Sequence, residues 1–195
     1  CGVGYPYFST DTPAVVRAAE IGADRVFDFS LGNPSVEPPK AISDTIMALL
    51  TSGDATLLHG YTSAQGDAGV RKTIADNINQ RFGVGISPNN IYMTCGAAAS
   101  LTISLSALTE ARDEVILLAP FFPEYRVFVE RNGAVAVPVL CDTKTFQPNL
   151  QAIKAAITTK TRAIIVNSPN NPTGAVMTKE SIEGLSALLT EASEQ

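Results

Sequence analysis

The sequence of 195 residues is poor in the side chains on which many protein chemistries depend. It contains one histidine, no tryptophan and three cysteines, which are Cys1, Cys95 and Cys141. The single histidine, His59, excludes a site built from histidines alone and disfavours a zinc enzyme, so no metal site is predicted. An odd number of cysteines without metal-like spacing is typical of a reducing, cytoplasmic compartment.

Charge and long apolar runs are also scarce. Only 17% of the residues are charged, the net charge is -5, and no cluster of lysines or arginines occurs. This pattern argues against a nucleic-acid partner. No run of about 18 apolar residues occurs, so no membrane span is predicted, and the first twenty residues lack the pattern of a secretory leader. The 45% of hydrophobic residues can bury a sizeable core.

Apolar periodicity predicts helices that alternate with short strands. The predicted helices start at Thr12-Pro13, near Ile42, at Asp67 and near Thr178, or span 97–110, 123–132 and 149–157. The predicted strands are 91–94, 115–118, 135–140 and 163–166. Short β-branched runs between helices are typical of buried parallel strands in an α/β fold. The long loop at 53–66 indicates a break in the organisation of the chain.

Ligands of open α/β sheets bind beyond the carboxyl ends of strands, so the segments that follow the predicted strands are candidate sites. The segment CGAAASL (95–101) has a glycine and small residues at a predicted helix start, where backbone N–H groups favour an anion. Taken alone, the same residues are explained better by tight packing of a helix on a sheet. Neither a GxGxxG fingerprint nor a P-loop lysine is present, so no dinucleotide or nucleoside triphosphate is indicated.

Three further segments carry polar or aromatic groups in suitable places. Phe121 and Phe122 follow a predicted strand; one ring can pack in the core while the other stacks on a flat ligand, or both can be core. The stretch NSPNNPTG (167–174) follows another strand, and its asparagines can serve a turn or donate to a ligand oxygen. Tyr61 can donate to a phosphate or lie on the surface, and Gly32 permits close approach of backbone to a ligand.

In this order, these segments resemble the fold-type I pyridoxal-phosphate-dependent aminotransferases of classes I and II. The matching segments are NSPNNPTG, which resembles the N-P-x-N-P-T-G signature, GYTSAQGDAGVR (60–71), MTCGAAASL (93–101), LLAPFFPEY (117–125) and LGNP (31–34). The resemblance runs from about residue 26 to the end of the chain. It implies a three-layer α/β/α large domain with a mostly parallel sheet, incomplete over 54–195. An N-terminal arm and small-domain segment would occupy 1–53.

The resemblance also implies how the cofactor, pyridoxal 5'-phosphate, would be held. Asn171 would donate to the phenolic oxygen of the pyridine ring and so help to set the imine pKa. Ala97 and Ala98 would bind the phosphate through their backbone N–H groups. Phe122 matches the aromatic residue that stacks on the ring.

Two more roles and the partners follow from the same resemblance. Tyr61 matches the tyrosine that reaches the phosphate of the neighbouring subunit, which implies a homodimer. Gly32 would meet the substrate carboxylate through its backbone. The implied reaction is transfer of an amino group between an amino acid and a 2-oxo acid.

This reaction needs a lysine that forms a Schiff base with the cofactor, an aspartate at the pyridine nitrogen and an arginine for the substrate carboxylate. In the family these groups follow the point where this chain stops, and none of its six lysines has Ser-x-x-Lys-like surroundings. The resemblance therefore implies the N-terminal half of an aminotransferase, without a catalytic lysine, inactive and marginally stable by itself. The alternatives are another fold-type I enzyme, such as a C–S lyase or a synthase, and a non-catalytic aminotransferase-like ligand-binding module.

Overall fold

The computed structural model describes residues 13–27 and 36–193, and the chain divides into two compact units between Tyr61 and Thr62. This division falls inside the predicted 53–66 loop. The first unit contains α1 (Pro13–Ile21), α2 (Lys40–Thr51) and α3 (Ala55–His59). Neither α1 nor α2 carries a buried residue. The assignment of 1–53 and 54–195 to separate domains remains a prediction.

The second unit alternates helices with strands, as the periodicity predicts. Its elements are α4 (Ala68–Phe82), α5 (Gly96–Leu108), β1 (Glu114–Ala119), α6 (Glu124–Glu130), β2 (Val135–Leu140), α7 (Leu150–Ala156), β3 (Thr161–Ile165) and α8 (Lys179–Ser193). Short 3₁₀ turns occur at Ala23–Arg25 and Pro88–Asn90. The predicted cap of α4 is confirmed, because the Asp67 side chain accepts a 2.8 Å hydrogen bond from the backbone N–H of Val70.

The three strands form one parallel sheet in the order β2-β1-β3, which confirms the predicted α/β class. Ile116 of the central strand aligns with Val137 on one side and Ile164 on the other. A central parallel strand is covered on both faces, which explains why β1 is an unbroken apolar run. Pro138 lies in β2, an edge strand of this sheet, where a missing backbone donor is tolerated.

Alternate residues of β1 point to opposite faces of the sheet and build two core clusters. Ile116 and Leu118 pack with residues of α7 and α8 on one face, of which Ile153 is fully buried. On the other face, Val115 and Leu117 pack with residues of α5 and α6. The second unit therefore has three layers, with the sheet between two pairs of helices.

The prediction of a fourth strand at 91–94 is wrong. The backbone N–H of Met93 donates to the carbonyl oxygen of Gln65 at 3.0 Å, but the segment pairs with no strand in the described part of the chain. Tyr92 is 64% exposed and Met93 41%. The physical reason is that the segment is held by Gln65 and lies along neither of the outer edges of β2 and β3, which stay unpaired within the described residues, so it lacks a ladder partner.

None of the helices in 13–27 and 36–193 is long and apolar enough to cross a membrane. In the same residues, no group of three or more histidine, cysteine, aspartate or glutamate side chains is arranged to hold a metal ion.

Candidate functional site

The carboxyl ends of β1 and β3 lie side by side, because the strands are parallel and directly paired. The last paired residues are Leu117 and Ile165. Beyond them the chain continues into the aromatic segment 119–122 and into the asparagine-rich turn 167–174. The sheet thus brings together two of the segments predicted to carry chemistry, at the edge where α/β folds bind ligands.

The three asparagines of the turn have different surroundings. Asn167 accepts a 2.8 Å hydrogen bond from the backbone N–H of Asn171 through its side-chain oxygen. The side-chain nitrogen of Asn170 donates to the carbonyl oxygen of Pro120 at 3.0 Å and to the hydroxyl of Thr173 at 2.9 Å. Asn171 is exposed, and its side-chain amide has no hydrogen-bond partner among the described residues. Of the three side-chain amides, that of Asn171 is the one that is exposed and makes no hydrogen bond within the described residues.

A small cavity lies beneath this turn. Apolar side chains line it together with Asn167 and Asn170, and its volume is about 10 Å³. That is room for one water molecule at most, so the cavity cannot receive a ring. The surface that can meet a ligand is the exposed side of the turn, where Asn171 lies.

The segment that begins α5 offers unpaired backbone donors. The N-cap residue, Cys95, makes no side-chain capping hydrogen bond, and Gly96 has a φ of +83°, which favours glycine. Ala97 and Ala98 are exposed and have no side chains to cover their N–H groups. The first N–H groups of a helix lack intrahelical acceptors and favour an anion.

Topology brings the start of α5 to the level of the carboxyl end of β1. Leu105, near the end of α5, packs in the core cluster of β1, and five residues, 109–113, connect the two elements. A helix that packs on the sheet and enters β1 through so short a connection runs antiparallel to it. The 13 residues of α5 and the six of β1 each span about 20 Å. Ala97 and Ala98 therefore lie at the same edge of the second unit as Phe122 and Asn171.

The two adjacent phenylalanines have different neighbours. Phe121 packs against the core cluster that contains Leu105 and Leu117. Phe122 does not pack against either core cluster, and its ring meets the edge of Tyr125 at a centroid distance of 5.7 Å and an angle of 79°. Burial raises the pKa of the Tyr125 hydroxyl, which stays neutral at physiological pH. Phe122 is thus the ring of the pair that remains available to a ligand.

Arg71 supports the α5 side of the site, a role that the sequence did not indicate. It is 7% exposed, and its guanidinium donates to the carbonyl oxygens of Gly66 at 3.2 Å and Pro88 at 2.7 Å. A Cβ on Gly66 would lie 2.5 Å from Met93 Cγ, so only glycine fits there. These contacts hold the chain that leads into the start of α5. In the sequence, only the glycine–arginine spacing within 60–71 pointed to Arg71.

Gln147 fixes the distal side of the asparagine-rich turn and was also not predicted. Its side-chain nitrogen donates to the carbonyl oxygen of Val176 at 3.0 Å. Its side-chain oxygen accepts from the backbone N–H of Thr178 at 3.0 Å and from the hydroxyl of Ser181 at 2.9 Å. No local pattern marks Gln147, because its partners lie about 30 residues away in sequence.

Two predicted site residues are not placed at this edge by the described structure. Tyr61 is fully exposed and is the last residue of the first unit. Gly32 and the LGNP segment lie outside the described residues.

Four of the six lysines form exposed ion pairs, which are Lys40–Asp44, Lys72–Asp76, Lys154–Glu191 and Lys179–Glu183.

Backbone donors at a helix start, an available ring and an exposed amide at the carboxyl edge of a parallel sheet define an α/β protein with a candidate ligand site at that edge. The chain belongs to the aminotransferase class I and II family, which it matches over residues 24–193.

Relatives with known names are similar over most of this chain. It is 33% identical over 161 residues to an aspartate aminotransferase of Thermotoga maritima, covering 82% of this chain and 42% of the relative. It is 31% identical over 173 residues to a (5-formylfuran-3-yl)methyl phosphate transaminase of Methanocaldococcus jannaschii, covering 89% and 44%. The crystal structure of an amino transferase from Eubacterium rectale is similar with a TM-score of 0.89 and 49% identity, covering 92% and 45%. The chain thus spans less than half the length of these relatives.

Proposed function

We propose that this chain is the N-terminal part of a pyridoxal-phosphate-dependent aminotransferase that transfers an amino group between an amino acid and a 2-oxo acid. One observation carries the proposal: the Asn171 amide is exposed and makes no hydrogen bond within the described residues, while the side-chain oxygen of Asn167 and the side-chain nitrogen of Asn170 hold the turn in place. Two asparagine side chains form hydrogen bonds that hold the turn, and the third, on Asn171, is left exposed. This arrangement fits a site for an oxygen-bearing ligand. Membership of the aminotransferase class I and II family supports the same function.

The residues of this edge fit pyridoxal 5'-phosphate. The phosphate would bind the N–H groups of Ala97 and Ala98, where the partial positive charge of α5 adds to the attraction. The aromatic ring would stack on Phe122. The cofactor, when bound, supplies an electron sink for the negative charge that forms when the amino acid loses its α-proton.

The Asn171 side chain would donate a hydrogen bond to the phenolic oxygen of the cofactor ring. A donor at that atom stabilises its ionised form and lowers the proton affinity of the group conjugated to it. Asn171 is suited to this role because its own backbone N–H is held by Asn167, so the side chain starts from a fixed position.

The remaining site roles are proposed for two residues that the described structure does not place at this edge. The exposed Tyr61 hydroxyl would reach the phosphate held by a neighbouring subunit, so the enzyme would be a homodimer. The backbone of Gly32 would meet the substrate carboxylate. Because the lysines of the described residues lie in exposed ion pairs or exposed turns, we place the Schiff-base lysine beyond Gln195, in a longer protein.

We also propose a cytoplasmic location and a role in amino-acid biosynthesis. Cys95 and Cys141 are free thiols, which fits a reducing compartment. The amino-acid and 2-oxo-acid substrates proposed above connect the protein to amino-acid metabolism.

The proposal is tested on the full-length protein that carries this chain. Purified with its cofactor, it is expected to absorb visible light and to transfer an amino group to a 2-oxo acid. Treatment with borohydride should reduce the chromophore to a covalent adduct on one lysine, and peptide mapping should find that lysine outside residues 1–195. A stoichiometric adduct on a lysine within residues 1–195 contradicts the placement of the catalytic lysine. Absence of cofactor binding contradicts the function itself.

The role of Asn171 has a separate test. Asn171→Ala should move the pH midpoint of the visible absorbance upward, because the donor that stabilises the ionised ring oxygen is lost. Asn132→Ala is the matched control. The Asn132 amide donates to the Ser106 hydroxyl at 2.7 Å, and Asn132 precedes β2, so it lies at the amino ends of the strands, opposite the candidate site. An unchanged midpoint in Asn171→Ala removes this residue from the site.

A further inference from the structure

Asn170 is the most connected residue of the asparagine-rich turn. Besides the two hydrogen bonds of its side-chain nitrogen, its backbone N–H donates to the carbonyl oxygen of Ala175 at 2.8 Å. Its carbonyl oxygen accepts from the N–H of Gly174 at 2.7 Å. The side chain is half-buried, so water competes poorly for these bonds. Four hydrogen bonds on one residue fix its place in the turn.

One of these bonds leaves the turn and crosses to the other loop of the site. The register of β1 and β3 ends at Leu117 and Ile165. Past that point, among the described residues, the bond from Asn170 Nδ2 to the carbonyl oxygen of Pro120 is the side-chain hydrogen bond that joins segment 119–122 to the turn 167–174. It spans 50 positions in sequence and therefore ties together two loops that local structure leaves independent.

The orientation of the Asn170 amide follows from its partners. A backbone carbonyl only accepts hydrogen bonds, so the atom facing Pro120 must be the amide nitrogen. An amide nitrogen has two N–H donors, and both are taken, one by Pro120 and one by Thr173. Asn170 therefore has no donor left for a ligand, which separates its role from that of Asn171.

We propose that Asn170 is a positioning residue that fixes the distance between the ring-stacking Phe122 and the ring-oxygen donor Asn171. This inference rests on the proposed function and goes beyond it, because it gives Asn170 a role that involves no ligand contact of its own. Phe122 lies two residues after Pro120, and Asn171 follows Asn170 directly. The hydrogen bond between Asn170 and Pro120 therefore joins the two loops close to both Phe122 and Asn171. Groups held in place before the ligand arrives do not have to be ordered on binding.

The test replaces the donor while keeping the shape. Asn170→Asp puts an oxygen where the nitrogen faces the Pro120 carbonyl, so the bond between the loops is lost and two acceptors oppose each other. In the full-length protein, we expect the dissociation constant for pyridoxal 5'-phosphate to rise about tenfold. The pH midpoint of the bound cofactor's absorbance should shift in the same direction as in Asn171→Ala. Asn132→Asp is the matched control, since it removes one amide donor at the opposite edge of the sheet, and both quantities should stay unchanged.

A double variant separates positioning from mere folding. If Asn170 acts through Asn171, the midpoint of Asn170→Asp/Asn171→Ala should equal that of Asn171→Ala alone, because coupled residues are not additive. Asn170→Ser, which is too short to reach Pro120, should give the same result if the aspartate variant does not fold. A lower unfolding midpoint of the apo protein with unchanged cofactor affinity and unchanged absorbance midpoint overturns the inference. If the unmodified protein binds no cofactor, the proposed function fails and this inference fails with it. If the unmodified protein binds the cofactor but the Asn170 variants keep its dissociation constant and its absorbance midpoint, as the control does, the inference alone fails.

Discussion

The two cysteines of the described residues have thiols in opposite surroundings, and this predicts unequal reactivity. Cys141 is 8% exposed within the cluster that contains Ile116 and Leu118, and burial raises the pKa of its thiol. Cys95 is exposed at the start of α5. Because the thiolate is the reactive form, a thiol reagent at neutral pH should label Cys95 in the folded protein and leave Cys141 intact. Peptide mass spectrometry measures both, and the denatured protein, in which both react, is the control. Equal labelling in the folded state contradicts the prediction.

At the scale of single residues, the sequence predicts kinds of groups better than it predicts their roles. The residue preferences of turns do not distinguish Asn167, Asn170 and Asn171, since each side chain can hydrogen-bond to nearby backbone. What distinguishes Asn170 is a contact with Pro120, 50 positions away, which no local pattern contains. The choice of Asn171 came from resemblance to a family, and its role stays a prediction. For the adjacent phenylalanines, side-chain direction shows that the two rings face different sides, but the sequence left open whether one or both lie in the core.

At the scale of elements, the cap of α4 can be tested directly. Asp67 accepts from the N–H of Val70, which otherwise has no partner at the helix start. Asp67→Ala should therefore lower the free energy of unfolding by about 1 kcal/mol. Asp76→Ala is the matched control on the same helix, because it removes only the exposed ion pair with Lys72, worth about 0.5 kcal/mol or less. Chemical denaturation measures both, and equal losses contradict the assignment of Asp67 as the cap.

The turn after β2 predicts a dependence of stability on pH. The Asp142 carboxylate accepts hydrogen bonds from the backbone N–H of Thr145 at 2.7 Å, from the Thr145 hydroxyl at 2.8 Å and from the N–H of Lys144 at 3.0 Å. These bonds, the Thr145 backbone first, hold the pKa of Asp142 below its ordinary value. A lowered folded-state pKa means that the ionised carboxylate stabilises the fold above its unfolded-state pKa. That stabilisation is lost as the pH falls through the folded-state pKa.

Asp142→Asn removes the charge from this turn and reports on the effect. The variant should be less stable than the unmodified protein at neutral pH. The difference should shrink as the pH falls below the ordinary range of aspartate carboxyls, where the unmodified side chain also loses its charge. Denaturation curves at a series of pH values provide the measurement. A difference that remains constant from neutral to acidic pH contradicts the prediction.

Most elements with local signals were predicted, but α3 (Ala55–His59) lies inside the predicted loop 53–66, and the strand predicted at 91–94 does not form. The glycine after α4, Gly83, stands in the left-handed region as the C-cap, and β2 has the predicted bounds. The segment 91–94 has the composition of a strand but not the pairing, because a ladder requires a strand alongside, and this segment lies along neither free edge of the sheet. The backbone N–H of Met93 is held by Gln65, and local composition does not show which strand will lie beside the segment.

At the scale of the whole molecule, the structure leaves apolar groups and strand edges uncovered. Strands β2 and β3 each pair on one side only within the described residues. Large apolar side chains remain about half exposed or more on α5, on α8 and at 91–94; they include Tyr92, Ile103, Leu108 and Ile182. Unpaired strand edges and exposed apolar residues favour self-association. The composition of 45% hydrophobic residues predicted a core, but not how much apolar surface would remain outside it.

These uncovered surfaces lead to a prediction for residues 1–195 produced as a separate polypeptide. We expect it to self-associate, because association covers the free edges of β2 and β3 and the apolar side chains of α5 and α8. Light scattering coupled to size exclusion should give a mass above 20.5 kDa that rises with concentration. A dye specific for apolar surface should bind it more strongly than it binds the full-length protein. A species of 20.5 kDa with a single cooperative unfolding transition would show that the two core clusters stabilise the second unit without further cover. In that case the exposed apolar residues would have to serve contacts that form only after folding.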